Sequence, residues 1–248
     1  MNADRSVVVH PDATNLATAT AARLINRLAD AQADRKPAHV ALTGGRVAAD
    51  VYRHILDSRF RDTVDWGAVH FWWGDERFLP TGNKDRNETQ AHEAFLDELR
   101  VDREHLHPMP SADTVDTVEE SASVYAAELD AAGHGRGLPG FDLVLLGVGE
   151  DGHVASLFPG QESLKASDRT AVGVHDSPKP PSERTTLTFA ALNSAEEVWV
   201  IASGAGKAEA VAAALEGGDV PAAEVRGRRH TRWLVDADAA SELQKFEF

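Results

Sequence analysis

The stretch Phe141-Asp-Leu-Val-Leu-Leu-Gly-Val-Gly-Glu-Asp-Gly-His-Val-Ala-Ser-Leu-Phe-Pro159 decides how the rest of the chain is read. Leu143 to Leu146 is an unbroken apolar run, the pattern of a strand buried on both faces of a parallel sheet. Gly147, Gly149 and Gly152 follow, where backbone can take positive φ and come close to a ligand. His153 comes next. An imidazole with an ordinary pKa of about 6.5 suits proton transfer near neutral pH, and a strand end is where it would be used. The bland alternative is a capped turn with a solvent-facing histidine; the glycine-lined strand end favours a site. Asp151 is close enough to shape the turn or to act on the imidazole, and the spacing does not choose between them. The segment also spells Gly-x-Gly-x-x-Gly. That fingerprint normally opens a helix in the first βαβ unit, with an acidic residue about 20 positions on. Here it lies past mid-chain, Pro159 stops any helix, and Asp168 does not end a second strand, so a nicotinamide site is disfavoured.

Working outward, short apolar runs alternate with longer helical patterns. Ser6–Val9, Val40–Thr43, Val69–Trp73, Val198–Ala202 and Trp233–Val235 read as further buried strands. Asp12–Asp34, Ala48–Leu56, Asn87–Leu99, Asp116–Ala132 and Lys207–Leu215 read as helices. This alternation implies right-handed βαβ units around a mostly parallel sheet, an α/β fold in one domain spanning residues 1–248. Ser177-Pro-Lys-Pro-Pro-Ser182 is an extended loop, since prolines cannot fill a helix interior. In such sheets ligands bind beyond the carboxyl ends of the strands.

The totals narrow the chemistry. The chain has 248 residues, no cysteine and a formal net charge of −15. Disulfides, thiolate zinc sites and a thiol nucleophile are excluded. Nucleic acid and anionic membranes are repelled by most of the surface, so neither is expected as a partner. A phosphorylated small molecule is still allowed, because charges beyond about 8 Å are largely screened at physiological salt. It demands a few local cations near the glycine turns. The polar start Met1-Asn2-Ala3-Asp4-Arg5 lacks the apolar stretch of a signal peptide, and a cytoplasmic location is expected.

Those cations are present at the strand ends. Leu42-Thr-Gly-Gly-Arg46 enters a helix, and a helix N-terminus with a glycine turn is an anion site or merely a tight turn. Arg46 adds a charge there. Trp73-Gly-Asp-Glu-Arg77 ends another strand: Arg77 can clamp an anion, and Asp75 or Glu76 can orient it or hold sugar hydroxyls; the alternative is a surface ion pair. Trp72 and Trp73 read as core. Lys207 stands at a helix start, where a cation is unfavourable unless an anion joins it. Arg184 follows the proline-rich loop.

Taken together, Gly147-Val-Gly-Glu-Asp-Gly-His-Val-Ala-Ser-Leu-Phe-Pro159, Leu42-Thr-Gly-Gly45, Trp73-Gly-Asp-Glu-Arg77, Pro178-Lys-Pro-Pro-Ser-Glu-Arg184 and Gly206-Lys-Ala208 resemble the glucosamine-6-phosphate isomerase/6-phosphogluconolactonase family, on its lactonase side, over nearly the whole chain. The resemblance implies a Rossmann-like three-layer α/β/α sandwich. It implies hydrolysis of 6-phospho-D-glucono-1,5-lactone with His153 as general base. By the same resemblance Arg77, Arg184 and Lys207 serve the anionic substrate, and Gly44 and Gly45 take part in phosphate binding. It implies no metal or organic cofactor; a monomer or a homodimer is expected. Two positions depart from the family: Arg46-Val47-Ala48 replaces Ser-Thr-Pro, and Arg86-Asn87 replaces Ser-Asn, so Arg86 is either a further anion ligand or a helix cap. The rivals are a sugar-phosphate deaminase, disfavoured because Val154 and Ala155 stand where Asn-Glu is typical, and a sugar-phosphate sensor, disfavoured because the first strand begins too early for a DNA-binding module.

Overall fold

The computed structural model describes residues 4–33 and 37–243. Among them the chain runs β1 (Asp4–His10), α1 (Ala13–Ala33), β2 (Ala38–Leu42), α2 (Arg46–Asp57), β3 (Val69–Trp73), β4 (Asp75–Arg77), α3 (Asn87–Ala94), α4 (Val118–Ala132), β5 (Leu143–Gly147), β6 (Ala171–Val174), β7 (Arg184–Leu187), α5 (Phe189–Leu192), β8 (Glu197–Ala202), α6 (Ala208–Leu215) and β9 (His230–Asp236). Met1–Ala3 and the expected last helical residue, Asp34, lie outside the described residues.

All six expected strands form one parallel sheet in the order β1-β9-β8-β5-β2-β3. Alternate residues of its strands feed two separate cores. Val40, Leu42, Leu143 and Leu145 pack with α1, α2 and α3 on one face. Ala41, Val144 and Leu146 pack with α4, α5 and α6 on the other. The result is the three-layer α/β/α sandwich. The periodicity of α1 is typical of the flanking layers: Leu16, Ala17, Thr20, Ala21, Leu24, Ile25 and Leu28 are buried on one stripe. Each fully buried Leu or Ile contributes roughly 1.5–3 kcal/mol. Asp12 starts that helix by accepting from the Asn15 N–H at 2.8 Å.

A second, antiparallel sheet, β4-β7-β6, was not legible from the sequence. Gly74 joins the two sheets: its N–H donates to the Leu42 carbonyl at 2.9 Å, and its own carbonyl accepts from Leu187 N–H at 2.8 Å. This carries the chain from the end of β3 directly into β4. The helix expected over Asn87–Leu99 ends earlier, at Ala94, and continues as a single 3-10 turn over Leu96–Glu98.

Candidate active site

The strand order reverses between β2 and β5: the chain passes from β2 outward to β3, and from β5 to β8 and β9 in the opposite direction. The two loops leaving a reversal point diverge to opposite faces and open a crevice between them. Those loops are Thr43-Gly44-Gly45 and Val148–His153. The crevice is a hollow of about 370 Å³ lined by Gly44, Gly45, Asp75, Arg77, His153, Arg184 and Lys207, together with Thr43, Asn87, Gly149, Lys179 and Pro180. Seven of the residues singled out from the sequence therefore meet in one place. Arg46 lines an adjoining hollow that shares Gly44, Gly45 and Lys207 with the first. Asp151 stands behind the histidine.

The loop after β5 is built to hold that histidine. Gly149 N–H donates to the His153 carbonyl at 2.8 Å, and Gly152 N–H donates to the Gly149 carbonyl at 3.0 Å with Gly152 at φ +78°. A Cβ on Gly149 would lie 2.0 Å from His153 Nδ1 and 2.4 Å from Asp151 Oδ1. Glycine there makes room for the pair. Asp151 Oδ1 accepts from His153 Nδ1 at 2.5 Å and from the His153 N–H at 3.4 Å. It thus both shapes the turn and acts on the imidazole. Because a carboxylate only accepts, Nδ1 carries the proton of the neutral ring and Nε2 keeps its lone pair. Nε2 has no partner among the described residues. The side chain is 15% exposed. Burial lowers the His153 pKa below its ordinary value; Asp151 pulls it up, Lys179 pushes it down, and burial prevails. Burial raises Asp151, but its hydrogen bonds from His153 prevail and leave it below the usual carboxylate range. A neutral imidazole beside an ionised carboxylate satisfies both directions.

The cations converge in a way that is costly without an anion. Arg77 on β4 stands directly opposite Arg184 on β7 in the antiparallel ladder. Like charges in that position repel. Arg184 is buried, with Nε and Nη2 donating to the carbonyls of Pro181, Lys179 and Pro180 at 2.9–3.2 Å. Burial lowers its pKa, Asp75 opposes this, and Arg77 adds to the lowering. Arg77 donates to the Asp85 carbonyl, and its Nε is buried without a partner among the described residues. Burial lowers Lys207 too, and Lys179 and Arg46 depress it further. At the mouth of α2, Gly45 takes φ +99° and its carbonyl closes the first turn with Ala49 N–H at 3.0 Å. The first-turn amides have no intrahelical acceptor and are free for an anion.

The acidic residues correct two expectations. Glu76 does not orient the Arg77 guanidinium. It is buried and caps α3, accepting from the N–H groups of Asn87 (2.6 Å), Glu88 (2.8 Å) and Arg77 (2.8 Å). Burial pushes its pKa up to about 7, against the pull of Arg86 and those amides. Arg86 is not an anion ligand; it holds the N-cap position of α3 through its carbonyl, which accepts from Gln90 N–H at 3.1 Å, and its side chain makes no capping bond. It is 1% exposed, with Glu76 and Glu88 at 3.8 and 2.9 Å and the carbonyls of Leu79 and Met109 as acceptors. Asp75 lines the hollow but is already engaged: Ser156 Oγ donates to Oδ2 at 2.7 Å and Asn87 Nδ2 to Oδ1 at 3.2 Å.

Four residues at the site were not assigned from the sequence. Lys179 sits in the proline-rich loop, and the demand for local cations was the signal that pointed to it. Asn87 is 2% exposed; its Oδ1 has no partner among the described residues and rests where a Cβ on Gly44 would lie 1.9 Å away. Ser156 and Phe158 are buried around Asp75 and His153.

Residues 11–233 match the family described as glucosamine-6-phosphate isomerases/6-phosphogluconolactonase. A Streptomyces coelicolor protein named 6-phosphogluconolactonase is 47% identical, with 96% of this chain and 95% of that one covered. A Mycobacterium tuberculosis protein of the same name is 41% identical, covering 96% and 98%. The 6-phosphogluconolactonase structure from Trypanosoma brucei superposes with a TM-score of 0.85 at 26% identity, covering 98% of this chain and all of that one. The chain belongs to the glucosamine-6-phosphate isomerase/6-phosphogluconolactonase family.

Proposed function

We propose that the chain hydrolyses 6-phospho-D-glucono-1,5-lactone to 6-phospho-D-gluconate, the lactone-opening step of the oxidative pentose phosphate pathway, with His153 as the base. Relatives at 47% and 41% identity over almost their full length carry that activity in their names. The observation that carries the residue assignment is the free Nε2 of a neutral His153, held through Nδ1 by Asp151, in a hollow lined by four cations on a chain of net charge −15.

In this reading Nε2 takes a proton from water as the oxygen attacks C1. The carbonyl oxygen becomes an oxyanion, stabilised by fixed donors: backbone N–H groups of the glycine turns or a nearby arginine. The imidazolium then returns its proton to the ring oxygen as the C1–O bond breaks. The product carboxylic acid ionises, releasing one proton to solution. Asp151 keeps the tautomer and stabilises the transient imidazolium. Arg77, Lys179, Arg184, Lys207 and the Gly44-Gly45-Arg46 turn hold the phosphate and fix C1 against the base; such positioning supplies several kcal/mol of a barrier. Asp75, tied to Ser156 and Asn87, keeps Arg184 charged beside Arg77.

The same reading has the protein act in the cytoplasm as a single domain over residues 1–248, as a monomer or a homodimer. No helix among the described residues is long and apolar enough to cross a membrane. The test is proton release from freshly made phosphogluconolactone. The rate with the protein should exceed spontaneous hydrolysis in proportion to protein concentration; equality with the spontaneous rate refutes the reading, and ammonia release from glucosamine 6-phosphate would replace it with the deaminase.

A further inference from the structure

Phe158 lies five residues beyond His153, a spacing that neither a strand nor a helix would bring to one face. The turn at Ala155, with φ +49°, folds it back. Its ring is 1% exposed. One side lies against the His153 imidazole, with ring centroids 4.5 Å apart and planes tilted by 41°. The Arg184 guanidinium carbon stands over the same ring, 5.7 Å from its centroid. One apolar side chain therefore touches both the base and an arginine of the anion hollow. The guanidinium's other polar contacts are with carbonyls of the proline-rich loop.

We propose that Phe158 is a positioning residue that couples the base to the anion clamp, its ring shielding one face of the imidazole and one face of the Arg184 guanidinium from water. The inference rests on the reading of His153 as the base and deepens it. Two effects of the ring oppose each other at His153. An aromatic face attracts an imidazolium, which would favour the charged form. Excluding water disfavours it. Burial is the largest influence on this imidazole and lowers its pKa, and the Phe158 ring 4.5 Å away is part of that burial. At Arg184 the ring and the loop carbonyls together fix the guanidinium plane and remove alternative orientations, which reduces what binding must order.

Phe158→Leu keeps apolar bulk and removes the aromatic face; Phe158→Met fills the gap with a flexible chain. In both, the acid limb of kcat/KM should move upward in pH, toward about 6.5, and KM should rise about threefold to tenfold, within the range of an aromatic–cation contact. The His153 ring proton followed by NMR should titrate upward in step. A purely structural role would lower melting temperature or kcat and leave the limb in place. An unmoved or lowered limb, or loss of the fold in both variants, overturns the proposal. Full turnover in His153→Ala would instead remove the base assignment, while the NMR midpoint of His153 in Phe158→Leu would still report on the shielding.

Discussion

Two groups of imidazoles lie at opposite ends of the central sheet, and their difference explains why one is a site. At the carboxyl ends, His153 stands at an open hollow among cations. Toward the amino ends of β2 and β3, His39 and His70 are register partners, stacked 4.5 Å apart. His105 and His107 pack on His70 at 4.0 and 5.1 Å, and Trp72 covers His107 at 3.8 Å. There at least one nitrogen of each ring engages another ring or the surrounding protein. His70 Nδ1 meets His107 Nε2 at 2.8 Å, His107 Nδ1 meets Glu128 at 2.6 Å, His105 Nδ1 meets the Gly67 carbonyl at 2.6 Å, and Trp72 Nε1–H donates to His39 Nδ1 at 3.2 Å. Burial lowers the pKa in both places, driving His70 to about 3 with help from His39, His105 and His107. A depressed histidine is therefore not by itself a catalyst. What separates the two is where the free lone pair stands: that of His153 opens on a hollow lined by Arg77, Lys179, Arg184 and Lys207, where an anionic substrate can be held.

The comparison breaks first at His153. His153→Ala should lower kcat by about 10²–10⁴-fold, the worth of positioned acid–base catalysis, while binding of 6-phosphogluconate, followed by calorimetry, stays near the wild-type value. A kcat within a few-fold of wild type would erase the distinction between the clusters. Lys207→Ala should raise KM about tenfold or more, the worth of a charge-assisted hydrogen bond, with kcat little changed. An unaltered KM in steady-state kinetics would take Lys207 out of phosphate binding.

His70 should give the smallest effect, and on stability rather than turnover. Its folded pKa lies below the unfolded value of about 6.5, so the unfolded chain binds more protons below that pH. Its contribution is fully present above pH 6.5 and is lost as pH falls toward about 3. Facing it are His39, His105 and His107, with Glu128 beyond His107 and Asp142 holding the His39 N–H at 2.9 Å. His70→Phe should flatten the decline of the urea midpoint between pH 7 and 5 and leave kcat at pH 7 alone. A decline as steep as in the wild type would show that the stack does not set acid stability.

The reach of the sequence follows from the same physics. Strands buried on both faces must be continuous apolar runs, so β2, β3, β5 and β8 announced themselves. Glycine turns at their ends marked the crevice, and the acid excess made each nearby cation informative. The small sheet stayed hidden because β4 is Asp75-Glu-Arg77 and β7 begins Arg184-Thr-Thr, polar residues without a strand signature. Arg77 and Arg184 were picked as cations, yet only the ladder reveals that they face each other. Arg86 misled because a charge beside a motif looks like a ligand; its burial by Glu76 and Glu88 depends on tertiary contacts that local sequence does not encode. Phe158 drew no assignment because a contact made by a left-handed turn has no periodicity.

The claim on which the account turns is a neutral His153 with its proton on Nδ1 and its lone pair on Nε2. Nitrogen-15 NMR of the wild-type chain across pH reads both directly. The account predicts an Nδ1–H tautomer at pH 7 and a midpoint below about 6.5. A proton on Nε2, or a midpoint above the ordinary histidine value, would contradict it.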